Sequence, residues 1–418
     1  MTMDVLAACL SCGSAGLELI LSLGLMPLTD SYLSLEQLIQ PEPKYPLDVA
    51  FCGACTLVQI LHRVPPEEMF DDYQYYSSFS DTLLEHSRLH VHELIASHSL
   101  GPDNLVIELA SNDGYLLRYF VEAGIPVLGI DPARGPAEAA EAIGVPTLCE
   151  YFGVELAERL KDECKTADVV IAKNVLAHVP DLNGFVQGIA TVLDEHGVAE
   201  IEAPYLRDLI DHLEFDTIYH EHLCYFSVTA LNKLFARHGL SLNHVRHLPI
   251  HGGSLRLTVG HEQNVSDSVR SYLEDEASTG VDTVGYYRSF SERVNVVRTE
   301  LHNKVLGLKR SGKRIAAYGA AAKGTILLNS SDIGSDLIDF VVDRNPHKQG
   351  LYLPGVHVPI VAPEEILDEM PDYMLLLAWN FKDEVVREQK AYIEAGGRFI
   401  MPIPEPVELG EEALDASP

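Results

Sequence analysis

Between Asn104 and Pro204 the chain alternates short apolar runs with amphipathic stretches. The apolar runs are NLVIELA, PVLGIDPA, PTLCEY, ADVVIAKNV and GVAEIEAP; between them lie GYLLRYFVEAG, GPAEAAEAIG, VELAERLKDEC and DLNGFVQGIATVLDEHG, whose apolar positions recur at helical spacing. Strands of this length joined by helices need right-handed crossovers, which predicts a parallel sheet covered on both faces, an open doubly wound α/β domain. After a helical block containing YHEHLCYFS, the stretch SLNHVRHLPIHGGSLRLTVGH reads as two strands on a Gly-Gly turn, able to close a sheet edge. Further on, KRIAAYGAAAKGTILL, IDFVVDRNP, YMLLLAWN and RFIMPIP predict a second, smaller α/β unit.

Upstream, VPPEEMFDDYQYYSSFSDTLLEHSRLHVHELIASHSLG starts on two prolines and turns helical, a linker and lead-in. A chain of 418 residues is too long for one compact core. The patterns divide it into an N-terminal unit at 1–66, the lead-in at 67–100, and the central domain with its helical insert and hairpin at 101–300. The smaller α/β unit follows at 301–405 and a frayed acidic tail at 406–418.

Composition narrows the partners. Thirty basic against 62 acidic residues give a formal charge of −32, which repels nucleic-acid backbones and anionic membranes. No apolar run reaches membrane-spanning length, and MTMDVLAACLSCG lacks the charged-then-apolar pattern of a signal peptide, so a cytoplasmic protein is the expectation. The apolar helix faces can be satisfied within one chain, which is compatible with a monomer and leaves the oligomeric state open.

Four of the seven cysteines form C-x-x-C pairs, Cys9 with Cys12 and Cys52 with Cys55. Two such knuckles in a reducing compartment read as a tetrahedral thiolate zinc site, and four thiolates leave no position for water, so the metal would be structural. A redox C-x-x-C or two buried thiol pairs are the alternatives.

Ligands of open α/β sheets sit beyond the carboxyl ends of the strands, where strand order reverses. The first such end, ELASNDGY, is not a dinucleotide fingerprint, because Ala110 and Asn112 stand at glycine positions and only Gly114 remains. The second, GIDPA, places Asp131 where a carboxylate can accept both hydroxyls of a ribose, unless it is a turn or N-cap aspartate. Together they suggest an adenosyl ligand without a pyrophosphate. In GAAAKGT, Lys323 could meet a phosphate, though the stretch is neither a P-loop nor a dinucleotide motif.

ELASNDGYLL, GIDPA and NVLAHVPDLNGF resemble the motifs of S-adenosylmethionine (SAM) methyltransferases. Combined with YHEHLCYFS, HGGSLR, the N-terminal CLSCG and CGAC, and the C-terminal YGAAAKG and VVDRNPHKQG, they resemble the C-methyltransferases of nucleotide-linked keto-deoxysugars in antibiotic pathways. The resemblance runs from Cys9 to about Pro404. It implies a zinc-binding N-terminal domain, a central Rossmann-like SAM domain and a C-terminal Rossmann-like domain beside the sugar nucleotide, with dTDP as the expected base carrier. It implies SAM contacts from Glu108, Ala110, Ser111, Asn112, Asp113, Gly114, Asp131 and Asn174, and substrate contacts from Lys323 and Arg256.

Methylating carbon needs a carbon nucleophile, and a sugar C–H becomes acidic enough only beside a carbonyl. The resemblance, with the chemistry of a neutral imidazole near pH 7, points to His222 as base. Glu221 would orient a side chain or the substrate and Tyr219 would donate to the enolate oxygen. His178 is the second candidate acid or base, and Tyr73, with Tyr76, would cap the pocket. On a helix, Tyr219 and His222 would share a face while His220 and His222 diverge, which argues against a metal site in HEH. A sugar O-methyltransferase and a non-catalytic zinc-dependent interaction protein are the competing classes; a nicotinamide oxidoreductase lacks its glycine fingerprint.

Overall fold

A computed structural model describes residues 4–65, 76–79, 81–250 and 252–415. Tyr73 lies outside them.

The central sheet has seven strands in the order Ser241–Leu248, Ser254–Gly260, Leu193–Pro204, Ala167–Lys173, Val106–Leu109, Val127–Ile130, Thr147–Leu148. Five neighbouring strands run parallel, and the hairpin closes the edge, Ser254–Gly260 pairing antiparallel with both Leu193–Pro204 and Ser241–Leu248. The parallel strands are largely apolar and covered on both faces: all four residues of Val106–Leu109, Glu108 among them, are buried. Two helix starts of this domain are capped by short polar side chains. Asp181 accepts from the Gly184 N–H ahead of Leu182–Val192, and Ser227 from the Ala230 N–H ahead of Val228–Arg237. The second cap is reinforced by buried Glu276, which accepts from the backbone N–H groups of Val228 and Thr229 and from the hydroxyls of Thr229 and Tyr205.

The N-terminal unit is an antiparallel sheet in the order Cys224–Tyr225, Val58–Ile60, Tyr45–Cys52, Leu17–Met26. Its fourth strand comes from YHEHLCYFS. That stretch is therefore not helical: Tyr219 and His222 close a turn through the His222 N–H and the Tyr219 carbonyl, 2.9 Å apart, before the chain enters Cys224–Tyr225. The predicted helix fails because the apolar run LCYF is drawn into a sheet edge on one side and onto the Ala177 carbonyl on the other.

Three helices, Asp267–Thr279, Val284–Tyr287 and Phe290–Arg310, lead into the C-terminal sheet. Its order is Ile360–Val361, Val341–Val342, Ile315–Tyr318, Tyr373–Leu376, Arg398–Met401, Val407–Leu409, parallel except for the last strand. Numbered along the chain this is 3-2-1-4-5-6, the doubly wound order with its reversal beside Ile315–Tyr318. The supposed acidic tail thus contains an edge strand, with Met401 opposite Val407, followed by a short helix at Glu412–Asp415. Among the described residues no helix is long and apolar enough to cross a membrane.

Candidate active site

The reversal of the central sheet falls between Val106–Leu109 and Ala167–Lys173, and the loops leaving these strands mark the crevice where open α/β sheets take ligands. In the first loop, Ala110 (φ 55°), Asn112 (φ 49°) and Gly114 (φ 74°) all take the left-handed conformation. The loop keeps a glycine-type path although two of its positions carry side chains, at about 1–2 kcal/mol each. Strain of this kind gathers where a loop must meet a ligand. Only Gly114 has no room for a Cβ, which would crowd Val145 and Ala140.

Asp131 holds this loop. One carboxylate oxygen accepts from the Asn112 N–H and the other from the Ala133 N–H, both at 2.8 Å. The turn-aspartate reading is therefore correct as far as it goes, and each oxygen retains a lone pair for a hydroxyl. Burial raises the Asp131 carboxyl above the usual range. Glu108, buried at the end of its strand, has no hydrogen bond to either oxygen, and burial pushes its carboxyl well up despite nearby Lys173. A buried acid without donors costs stability unless a ligand supplies them. Ser111 Oγ and the side-chain oxygen of Asn174 (φ 51°) are likewise buried without partners. The segment before the long helix Asp81–His98 lies over the loop: the Ser77 N–H donates to Asn112 and the Ser78 N–H to Asp113. Tyr76 is on this side too, its hydroxyl against Gly135.

Next to the crevice, the loop after Ala167–Lys173 delivers His178, and the turn described above delivers His222. Their ring centroids are 4.7 Å apart, and Tyr219 lies 4.0 Å from His222. His222 Nδ1 is 2.8 Å from the Thr217 carbonyl, which can only accept. Nδ1 therefore carries the hydrogen, and Nε2 is the basic nitrogen. Burial lowers the His178 imidazole to about 4, so it is neutral near pH 7. Glu221 turns away from this pair to the Thr29 hydroxyl at 3.2 Å, and burial, with Asp30, raises its carboxyl to about 8. His220 diverges as expected, packing on Tyr45 with Nε2 donating to the Pro46 carbonyl.

The two expected substrate contacts are already paired. Arg256 is buried under the helix Asp81–His98, on Glu202 at 2.5 Å and Glu93 at 3.3 Å. Lys173, 3.3 Å from Glu202, joins the same network. Burial would raise the Glu202 carboxyl, but Lys173, His86 and Arg256 hold it well below the ordinary range. Lys323 donates to the Asn380 side chain at 2.9 Å and lies over the Trp379 ring, facing Asp216 and Glu214. None of Thr217, Asp216, Trp379, Lys173 and Glu202 carried a sequence signal, since their roles depend on contacts between distant segments.

The four paired cysteines converge. Their Sγ atoms all lie within 4.8 Å of one another, with Cys9–Cys55 at 3.4 Å and Cys12–Cys52 at 3.6 Å. A tetrahedron of thiolates at ordinary Zn–S distance has edges of about 3.8 Å, so the set fits zinc. The knuckles match each other: Gly13 and Thr56 both take positive φ and donate their N–H groups to the Cys9 and Cys52 carbonyls at 2.8 Å.

A doubly wound sheet, a left-handed loop over its reversal and a buried acid without donors fit a SAM-dependent methyltransferase. Three family matches agree: a methyltransferase domain at residues 85–245, a zinc binding domain at 9–70 and a C-methyltransferase C-terminal domain at 249–404. The chain is 36% identical to the C-methyltransferase NovU of Streptomyces niveus over 408 residues, 97% of each chain. It belongs to this family of three-part C-methyltransferases; SAM is its methyl donor and the four cysteines form its structural zinc site. Solved structures with some likeness include the SAM-bound magnesium protoporphyrin IX methyltransferase of Synechocystis PCC 6803 (17% identity, 46% of this chain and 86% of that one, TM-score 0.34). Another is a SAM-dependent methyltransferase of Clostridium acetobutylicum (10% identity, 46% and 93%, TM-score 0.35).

Proposed function

We propose that the enzyme removes the proton next to the ketone of a nucleotide-linked 4-keto-deoxysugar, dTDP-linked by the family resemblance, and methylates the resulting carbanion in deoxysugar antibiotic biosynthesis. The observation that supports this reading is the His222–Thr217 hydrogen bond, which leaves Nε2 as the ring nitrogen able to take a proton. When bound, SAM supplies an electrophilic methyl group. Glu108, Asp131 and the loop from Ala110 to Gly114, with Asn174, would hold it.

His222 takes the α-proton on Nε2 while the C–H electron pair becomes the enolate. Tyr219, packed on the His222 ring, donates its hydroxyl to the enolate oxygen. His178 stays neutral and shields the imidazole from water. Glu221, protonated near neutral pH, orients the turn through Thr29. Tyr76 closes the crevice from the lead-in.

The test is incubation with SAM and a dTDP-4-keto-deoxysugar in deuterated water, following methyl transfer and deuterium at the neighbouring carbon. Both should occur, and reduction of the ketone to a hydroxyl should abolish them. Methylation of the reduced sugar would overturn the proposal in favour of an O-methyltransferase.

A further inference from the structure

The carbonyl that fixes His222 belongs to the short 3-10 turn Phe215–Thr217, and that turn is held from another part of the chain. Asp216 is fully buried, and one of its carboxylate oxygens accepts the Trp379 indole N–H at 2.7 Å. Trp379 follows the strand Tyr373–Leu376, at the reversal point of the C-terminal sheet. Lys323 Nζ lies over its ring, 4.3 Å from the centroid, and Lys323 is itself tied to Asn380. The path is continuous: Lys323, Trp379, Asp216, the Thr217 carbonyl, His222 Nδ1.

From this geometry we infer that Trp379 and Asp216 are positioning residues for the catalytic base, transmitting the placement of the C-terminal sheet to the tautomer and orientation of His222. The inference rests on the reading of His222 as base. Neither residue touches the reacting carbon; each acts through the Thr217 carbonyl. Without the indole donor, a buried carboxylate oxygen loses its partner, the turn relaxes, and the acceptor for Nδ1–H moves. A displacement of about 1 Å at such a group is enough to cost on the order of 10²-fold in rate.

The test uses the full chain with SAM and the keto-sugar in deuterated water. Trp379→Phe keeps a ring under Lys323 but removes the donor. It should slow deuterium incorporation about 10-fold or more, while SAM affinity stays within about twofold. Asp216→Asn keeps an oxygen for the indole and should retain exchange within about threefold. Asp216→Ala should fall as far as Trp379→Phe, and the double variant should fall no further, because both remove one shared contact. Unchanged exchange in Trp379→Phe, or additive losses in the double variant, would overturn the inference. A substrate-free readout separates this from the assignment of the base. In ¹⁵N-histidine spectra, wild type should show His222 as the Nδ1–H tautomer, and Trp379→Phe should show a shifted or mixed signal. Identical spectra would reject the positioning role even if no sugar is turned over. Should Trp379→Phe fail to fold, Asp216→Ala against Asp216→Asn makes the same comparison.

Discussion

The cofactor crevice and the His222 turn lie side by side and are built in opposite ways. The crevice is made by one sheet from neighbouring stretches, Glu108 to Gly114, Asp131 to Ala133, and Asn174, tied together by the Asp131 carboxylate and covered by the Ser77 and Ser78 N–H groups. The His222 turn is held by three units at once. Cys224–Tyr225 belongs to the cysteine-bearing sheet, Leu223 is tied to Ala177 of the central domain, and Asp216 is tied to Trp379 of the C-terminal one. The cofactor loop is therefore held within one domain, whereas the His222 turn is held by contacts from three.

The two regions should fail separately. The largest effect is expected for His222→Gln, which should reduce α-proton exchange by about 10²–10⁴-fold, the usual contribution of a general base, with SAM affinity unchanged by calorimetry. Stripping zinc with a chelator should loosen the strand that follows His222 and lower exchange by about 10²-fold, while SAM still shifts the melting temperature. Joint loss of SAM binding would mean that the two regions are one cooperative unit. Asp131→Ala works in the other direction. Leaving the Asn112 and Ala133 N–H groups unpartnered, at about 1–3 kcal/mol, should weaken SAM about 10- to 100-fold, with exchange intact at saturating cofactor. The smallest effect concerns stability. The His178 pKa is about 4 in the folded chain and near 6.5 when unfolded, so the protein loses stability as pH falls through this window. His178→Asn should lose a few degrees less in melting temperature between pH 7 and pH 4.5 than wild type does.

How much could be read from the sequence follows the same division. The alternation of apolar runs and amphipathic stretches reports a parallel sheet because both faces are buried, and the knuckle spacing reports a metal site because thiolates must converge. The crevice was legible because each of its turns is local. The His222 turn was legible in residue type and not in shape. Tyr219 and His222 do meet, but across a turn instead of along a helix face, because pairing with Val58–Gln59 outweighs any local helical preference. The Asp216–Trp379 bond joins residues 163 positions apart and leaves no local pattern. The layer of Glu200, Glu202, Lys173 and Arg256 was equally hidden: charges scattered through strands suggest solvent, and only the covering helix Asp81–His98 makes them interior. The same burial explains why Arg256, expected to meet substrate, is paired inside the domain. The edge strand Val407–Leu409 escaped notice because an acidic terminus suggests disorder until a partner strand is known.

The central claim is that His222, oriented by the Thr217 carbonyl, faces the carbon to be methylated. A crystal structure with the demethylated cofactor and a nucleotide-linked keto-sugar tests it most directly. Nε2 of His222 should lie in contact with the carbon beside the ketone, on the side opposite the cofactor sulfur, with the Thr217 hydrogen bond intact. A sugar whose acidic carbon meets His178 instead, or a His222 ring turned away from it, would contradict the account.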